Sequence, residues 1–289
     1  MLTIENQQLR VQVASHGAEL QSLFHKEFQL EYLWNGDPAF WPKRSPVLFP
    51  IVGSLKNNTY QFEDKNFQLG RHGFARDMEF SISFQDSKSI VLLLKDNEET
   101  LRHFPFLFEF SVGYRLNDND LEVAYEVKNR SGYDMFFSFG GHPAFALPLV
   151  KDTAYNDYYL EFNEDETKPR WPISIDGLIE KKPLPLLRNT NVLPLTKELF
   201  LHDALVLKYP TSSIVSIKSD KTNHGLDLNF LGFPFLGIWA APQADFVCLE
   251  PWCGIADSVD TDSQLVHKEG INQVAPGEIF KRNWALTFF

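Results

Sequence analysis

Period-two alternation runs through this chain and restricts it to a fold built from strands. The clearest case is Phe108, Phe110, Val112, Tyr114 and Leu116, then Asn117-Asp118-Asn119, then Leu121, Val123, Tyr125 and Val127. Apolar residues at every second position share one face of an extended chain, and the Asn-Asp-Asn cluster suits a reversal. The segment therefore predicts an antiparallel hairpin with one buried face. Leu9, Val11 and Val13 alternate with Arg10 and Gln12, and Phe80, Ile82 and Phe84 alternate with serines. The continuous apolar run from Ser89 to Lys95 suits a strand covered on both sides. Further strands are predicted at Tyr158–Phe162, Ala204–Tyr209, Ile214–Ser219, Leu226–Phe230, Phe235–Ala240 and Phe246–Leu249. One short helix is legible, with Asn97 as its cap, Glu98 and Glu99 in its first turn, and an end near His103 before Pro105. Many short strands and almost no helix predict an all-β chain, a large β-sandwich or barrel.

Composition narrows what such a chain does. With 44% hydrophobic and 14% aromatic residues among 289, it can bury a sizeable core. No run approaches the roughly 18 apolar residues of a membrane span. The start, Met1-Leu-Thr-Ile-Glu5, reads as a strand and lacks the features of a secretory leader. Cys248 and Cys253 fall in one short segment and are expected as unpaired thiols in a reducing cytoplasm. A net charge of -11 argues against a nucleic-acid partner, because phosphate binding needs a basic surface. The stretch from Lys168 to Leu195 holds five prolines but also Trp171, Ile173, Ile175, Leu178 and Ile179. That is too apolar for a free tether, so it is expected as a long connection packed on one domain spanning residues 1–289.

Three segments carry candidate chemistry. In SFGGHPAF, Ser138 to Phe145, His142 lies between two glycines and a proline, outside regular secondary structure. In VCLEPWCG, Val247 to Gly254, Glu250 follows an apolar run and precedes a proline. A histidine and a carboxylate so presented form a candidate acid/base pair. Trp41 to Gly53 and Gly70 to Asp77 add Arg44 and Arg76, fixed donors for hydroxyls or phosphate oxygens, and His72, held before Gly73. Read singly, the arginines also suit surface ion pairs and His72 a satisfied loop histidine. Asp257, Asp260 and Asp262 do not match the spacing of a calcium loop, and the histidines show no metal-ligand spacing, so no metal is expected.

The motifs RHGFARD, SFGGHPAF and CLEPWCG, in this order, resemble those of the aldose 1-epimerases, the galactose-mutarotase-like family, over essentially the whole chain. The likeness is strongest to the LacX-type bacterial branch and next to the hexose-6-phosphate epimerase branch. Gly-Gly-His-Pro-Ala-Phe stands where the narrower galactose mutarotases carry Asn-His-Thr-Tyr-Phe. The resemblance implies a large antiparallel β-sandwich with a concave sugar site, a hexose or hexose 6-phosphate as substrate, and no cofactor. It implies His142 as the acid on the ring oxygen and Glu250 as the base on the anomeric hydroxyl. Arg44, His72 and an aspartate are implied as sugar-binding partners. Asp203, at the head of a strand, suits that position better than Asp227, which lies inside an alternating run. From ordinary pKa values, His142 is charged and Glu250 ionised together between about pH 4.5 and 6.5.

Two other readings share the pattern. A sugar-binding module would use Trp41, Trp239 and Trp252 for stacking without needing His142 or Glu250. A β-sandwich glycoside hydrolase would need two prepared carboxylates, and only Glu250 stands in such a motif.

Overall fold

The predicted hairpin forms over Phe108–Asn117 and Asp120–Asn129, in register from Phe108 opposite Asn129 to Asn117 opposite Asp120. Asp118 makes the reversal with a positive φ of 49°, a conformation that Asp tolerates better than most residues. The computed structural model describes residues 1–289, and this hairpin lies within a nine-stranded antiparallel sheet. In spatial order the strands are Thr190–Pro194, Tyr158–Glu166, Ile214–Ser219, Thr222–Asn229, Ile279–Phe288, Asp120–Asn129, Phe108–Asn117, Ser89–Lys95 and Ser81–Gln85. Buried and part-exposed residues alternate along the hairpin. One face of this sheet meets the core and the other meets water.

A second sheet orders Leu205–Lys208, Phe235–Trp239, Phe246–Cys253, Phe139–Gly141 and Val47–Leu48, with Ala144–Ala146 also paired to Phe246–Cys253. The two sheets pack face to face. Tyr125 of the first meets Phe139 of the second at 5.3 Å between ring centroids, and Trp284 donates its indole N–H to the Tyr125 hydroxyl at 3.1 Å. Gly141 is required here, because a Cβ on it would stand 2.9 Å from that hydroxyl. A four-stranded N-terminal sheet, Leu2–Glu5, Leu9–Val13, Leu20–His25 and Leu30–Glu31, joins the same core. The architecture is the expected all-β antiparallel sandwich. No helix is long and apolar enough to cross a membrane.

Several local expectations change. Ser89–Lys95 is covered on one face only: Ile90, Leu92 and Leu94 are buried, while Val91 and Leu93 are half-buried. Val91 and Leu93 stand on the outer face, half-shielded between neighbouring strands, with no second layer over them. Ser81–Gln85 is an exposed edge strand, and an irregularity between Ile82 and Phe84 breaks the expected alternation. The strand beginning at Phe246 continues past Leu249 to Cys253, through Pro251. The helix forms over Glu98–His103 with the Asn97 side chain accepting from Glu99 and Thr100 N–H. The proline-rich connection packs as expected: Leu178, Ile179, Leu187 and Leu193 are buried, and Ile175 alone of its apolar residues is fully exposed.

Candidate active site

Alternation places the chemistry on the face of the second sheet that looks away from the first. Gly140 pairs with Trp252 and Ala144 with Cys248, so counting inward sets His142 opposite Glu250. Phe139 and Gly141 point into the sandwich, and His142 and Glu250 point out of it. His142-Pro143 is also where the partner strand is interrupted, between Phe139–Gly141 and Ala144–Ala146, which frees the His142 ring to lean toward the carboxylate. His142 Nε2 lies 3.1 Å from Glu250 Oε2.

The pair forms the floor of a cleft of about 450 Å³, the size range of small-molecule sites. Trp41 stacks on His142 at 5.0 Å and 28°, and Trp239 stands edge-on to it at 5.7 Å. Trp252, two residues beyond Glu250 on the same face, completes an aromatic wall.

His72 enters from the Gly70–Gly73 turn, which is fixed by close backbone approach. A Cβ at Gly73 would lie 2.3 Å from the Phe49 carbonyl oxygen, and its φ is 70°. His72 and Gly53 bond reciprocally: the His72 N–H donates to the Gly53 carbonyl at 2.9 Å, and the Gly53 N–H donates to His72 Nδ1 at 3.1 Å. Nδ1 is therefore an acceptor, and the neutral ring carries its proton on Nε2. Burial, then the neighbouring His142, Arg71 and Arg76, hold His72 well below the usual histidine range. His72 is thus a fixed neutral donor.

Burial pushes His142 down to about 3, with the Arg71 and Arg76 charges acting in the same direction. Burial also drives Glu250 well above the usual carboxylate range, opposed by Arg71 and reinforced by Asp203. This revises the expectation from ordinary pKa values. The buried pair disfavours both charged forms and holds one proton between two poorly solvated groups.

The cleft gathers Arg76, His72, His142, Asp203 and Glu250, but not Arg44. The Arg44 guanidinium donates to the Gln21 carbonyl, and its backbone ties Glu19 to Ala144. It braces the cleft wall from behind. Asp203 has a positive φ of 72°, and its carboxylate accepts from the Ala204 N–H at 2.7 Å. It faces Arg71 at 3.5 Å, a residue that the sequence reading passed over although it stands beside His72 in the same turn. Arg76 reaches the Arg71 carbonyl at 2.9 Å and lies 3.5 Å from Asp77. Asp227 sits on the other sheet, bonded to Ser216.

The three loop aspartates do not form a cation cage. Asp257 is held by Lys268 at 2.7 Å, Asp260 by Lys181 at 2.6 Å and Asp262 by His267 at 2.7 Å. One other donor set does converge: His142, Cys248 and Glu250, all buried, offer ligand atoms within 4.8 Å of one another. Histidine spacing gave no sign of it, because the donors come from two paired strands.

Fold and cleft together define an all-β protein with a buried histidine–glutamate pair under an aromatic wall. The family model described as aldose 1-epimerase matches residues 1–278, and the chain belongs to that family. The chromosomal protein LacX of Lactococcus lactis subsp. lactis is 35% identical over 297 residues, covering 99% of this chain and 98% of the relative. A galactose mutarotase related enzyme from Lactobacillus acidophilus superposes with a TM-score of 0.94 at 38% identity, covering 100% of this chain and 97% of that one. A galactose mutarotase-like protein from Lactobacillus casei gives a TM-score of 0.94 at 31% identity, with both chains fully covered.

Proposed function

We propose that the protein interconverts the α and β anomers of a hexose or hexose 6-phosphate in the cytoplasm, by acid/base opening and closure of the ring. The observation that carries this reading is the cross-strand pair of His142 and Glu250, 3.1 Å apart and buried. From the form in which the pair's one proton sits on His142, Glu250 takes the proton of the anomeric hydroxyl while His142 delivers its own to the ring oxygen. The C1–O5 bond breaks, the aldehyde carbon turns by about half a turn, and the ring closes with the roles exchanged. Each positioned proton transfer contributes about 10²–10⁴-fold. Arg71 lowers the cost of the Glu250 carboxylate, and the Trp41 face favours the transient imidazolium. His72 Nε2–H, Arg76 and Asp203 are placed to bind sugar oxygens.

Four buried polar atoms of the cleft residues make no hydrogen bond within the protein: Arg76 Nε, His142 Nδ1, Glu250 Oε2 and Trp252 Nε1, with only the ion-pair approaches of Asp77 to Arg76 and of His142 to Glu250 beside them. A buried polar group without a partner is costly, and a hydroxyl-rich ligand satisfies several at once. Anomer-exchange NMR on free and 6-phosphorylated aldohexoses tests the reading. Accelerated exchange on one of these sugars is expected and identifies the preferred form. Binding without acceleration on any of them would replace the enzyme by a sugar-sensing protein.

A further inference from the structure

We infer that the floor of the cleft is also a binding site for a soft divalent cation of the zinc type, held by Cys248, Glu250 and His142, and that this ion inhibits the protein. The juxtaposition follows from the β-ladder. Cys248 and Glu250 are two residues apart on one strand and so share a face, and His142 stands opposite Glu250 on the neighbouring strand. Ala144, opposite Cys248, is small and leaves the thiol room to approach the imidazole. The three ligand atoms lie within 4.8 Å of one another, with Nε2 and Oε2 already at 3.1 Å.

Zinc takes nitrogen, sulfur and oxygen donors at about 2.0–2.3 Å in a tetrahedron, so its donors stand roughly 3.3–3.6 Å apart. Side-chain shifts of about 1 Å close the set. Three protein ligands leave one position of the tetrahedron open; His142 and Glu250 line the cleft, through which the ion enters, and the buried Cys248 closes the set from beneath. A second observation points to a ligand at the same place: Glu250 Oε2 is buried and makes no hydrogen bond, with only the His142 Nε2 approach beside it. A thiol beside imidazole and carboxylate selects a soft or borderline cation over magnesium or calcium. Zinc takes cysteine as the thiolate, so the ion displaces the Cys248 proton to solvent and binds more tightly as pH rises. Once bound it occupies the proton-transfer atoms of His142 and Glu250, which ends turnover. Cys253, five residues on, lies on the opposite face of the strand and takes no part.

Only the inhibition rests on the epimerase reading; binding does not. The test is calorimetric titration of the full chain with zinc chloride, alongside cobalt(II) absorption and anomer exchange with and without zinc. One zinc per chain is expected, with a sulfur-to-cobalt charge-transfer band in the cobalt form. Cys248→Ala should weaken binding by about 10–100-fold or more, lose the band, and keep metal-free turnover while escaping zinc inhibition. Cys253→Ala should bind as the wild type does. Absence of stoichiometric binding, or equal binding by Cys248→Ala with its fold intact by circular dichroism, overturns the inference. Zinc binding by a chain that turns over no sugar would remove the epimerase reading and leave the site. Turnover without zinc binding would do the reverse.

Discussion

The two sheets of the sandwich use glutamate in opposite ways. On the water-facing side of the nine-stranded sheet, Glu109 is ringed by Lys95 at 3.0 Å, Arg130 at 3.8 Å and Lys128 at 3.9 Å. A hydrogen bond from Lys95 and the surrounding cations hold its carboxyl below the usual range. On the cleft side of the second sheet, Glu250 is only 1% exposed, and burial pushes its carboxyl well above that range. The same side chain is a solvated surface charge in one place and a buried, reluctantly ionised carboxyl in the other. The difference is what lies over the strand. Water covers the first sheet's outer face, and aromatic rings and loops cover the second's.

This contrast makes definite expectations. The largest effect falls on turnover: Glu250→Gln and His142→Asn should each lower kcat by about 10²–10⁴-fold, read by anomer exchange. Glu109→Gln should leave it unchanged. Next is the buried pair of Lys268 and Asp257, 2.7 Å apart with side chains 2% and 3% exposed, which anchors the loop after the Glu250 strand. Lys268→Met strands a buried carboxylate and should cost about 3–5 kcal/mol in chemical denaturation. Gly141→Ala forces a methyl against the Tyr125 hydroxyl and should cost about 1–3 kcal/mol by the same measurement.

The pH dependence separates the two glutamates by sign. A carboxyl whose folded pKa is raised contributes fully below its unfolded value, and that contribution falls as pH rises. Glu250→Gln should therefore match the wild type in stability below about pH 4.5, the unfolded value. It should then gain on the wild type as pH rises to 7. Glu109 works the other way: its lowered pKa stabilises above the unfolded value and fades as pH falls through the folded one. Exposure limits this to within about 1 kcal/mol, the smallest effect in the series. Thermal melts from pH 2 to pH 8 read both.

The sheet facing water was the legible one. Phe108 to Val127 alternate because water on one face demands polar residues there, and Ile214–Ser219 was placed to the residue for the same reason. The Glu250 strand is buried on both faces throughout, so alternation disappears. The strand was expected to end at Leu249, although it runs on through Pro251 to Cys253. His142 and Glu250 were visible as motifs, but their register was not, and register is what brings them to 3.1 Å. Arg71 was missed because an arginine beside a histidine in a glycine turn has no period to mark it. Cys248 was readable as a same-face neighbour two residues before Glu250, once that segment is taken as strand. Arg44 read as a sugar contact, and only the fold shows its guanidinium turned to the Gln21 carbonyl. Burial inverted the charge states expected for the acid/base pair, an effect that no sequence spacing encodes.

The most direct test compares α/β exchange of the preferred aldohexose by magnetisation-transfer NMR in the wild type, His142→Asn and Glu250→Gln, all checked for folding by circular dichroism. Exchange catalysed by the wild type and lost in both variants is the predicted result. Undiminished exchange in either variant would contradict the assignment of this cross-strand pair as the proton-transfer machinery.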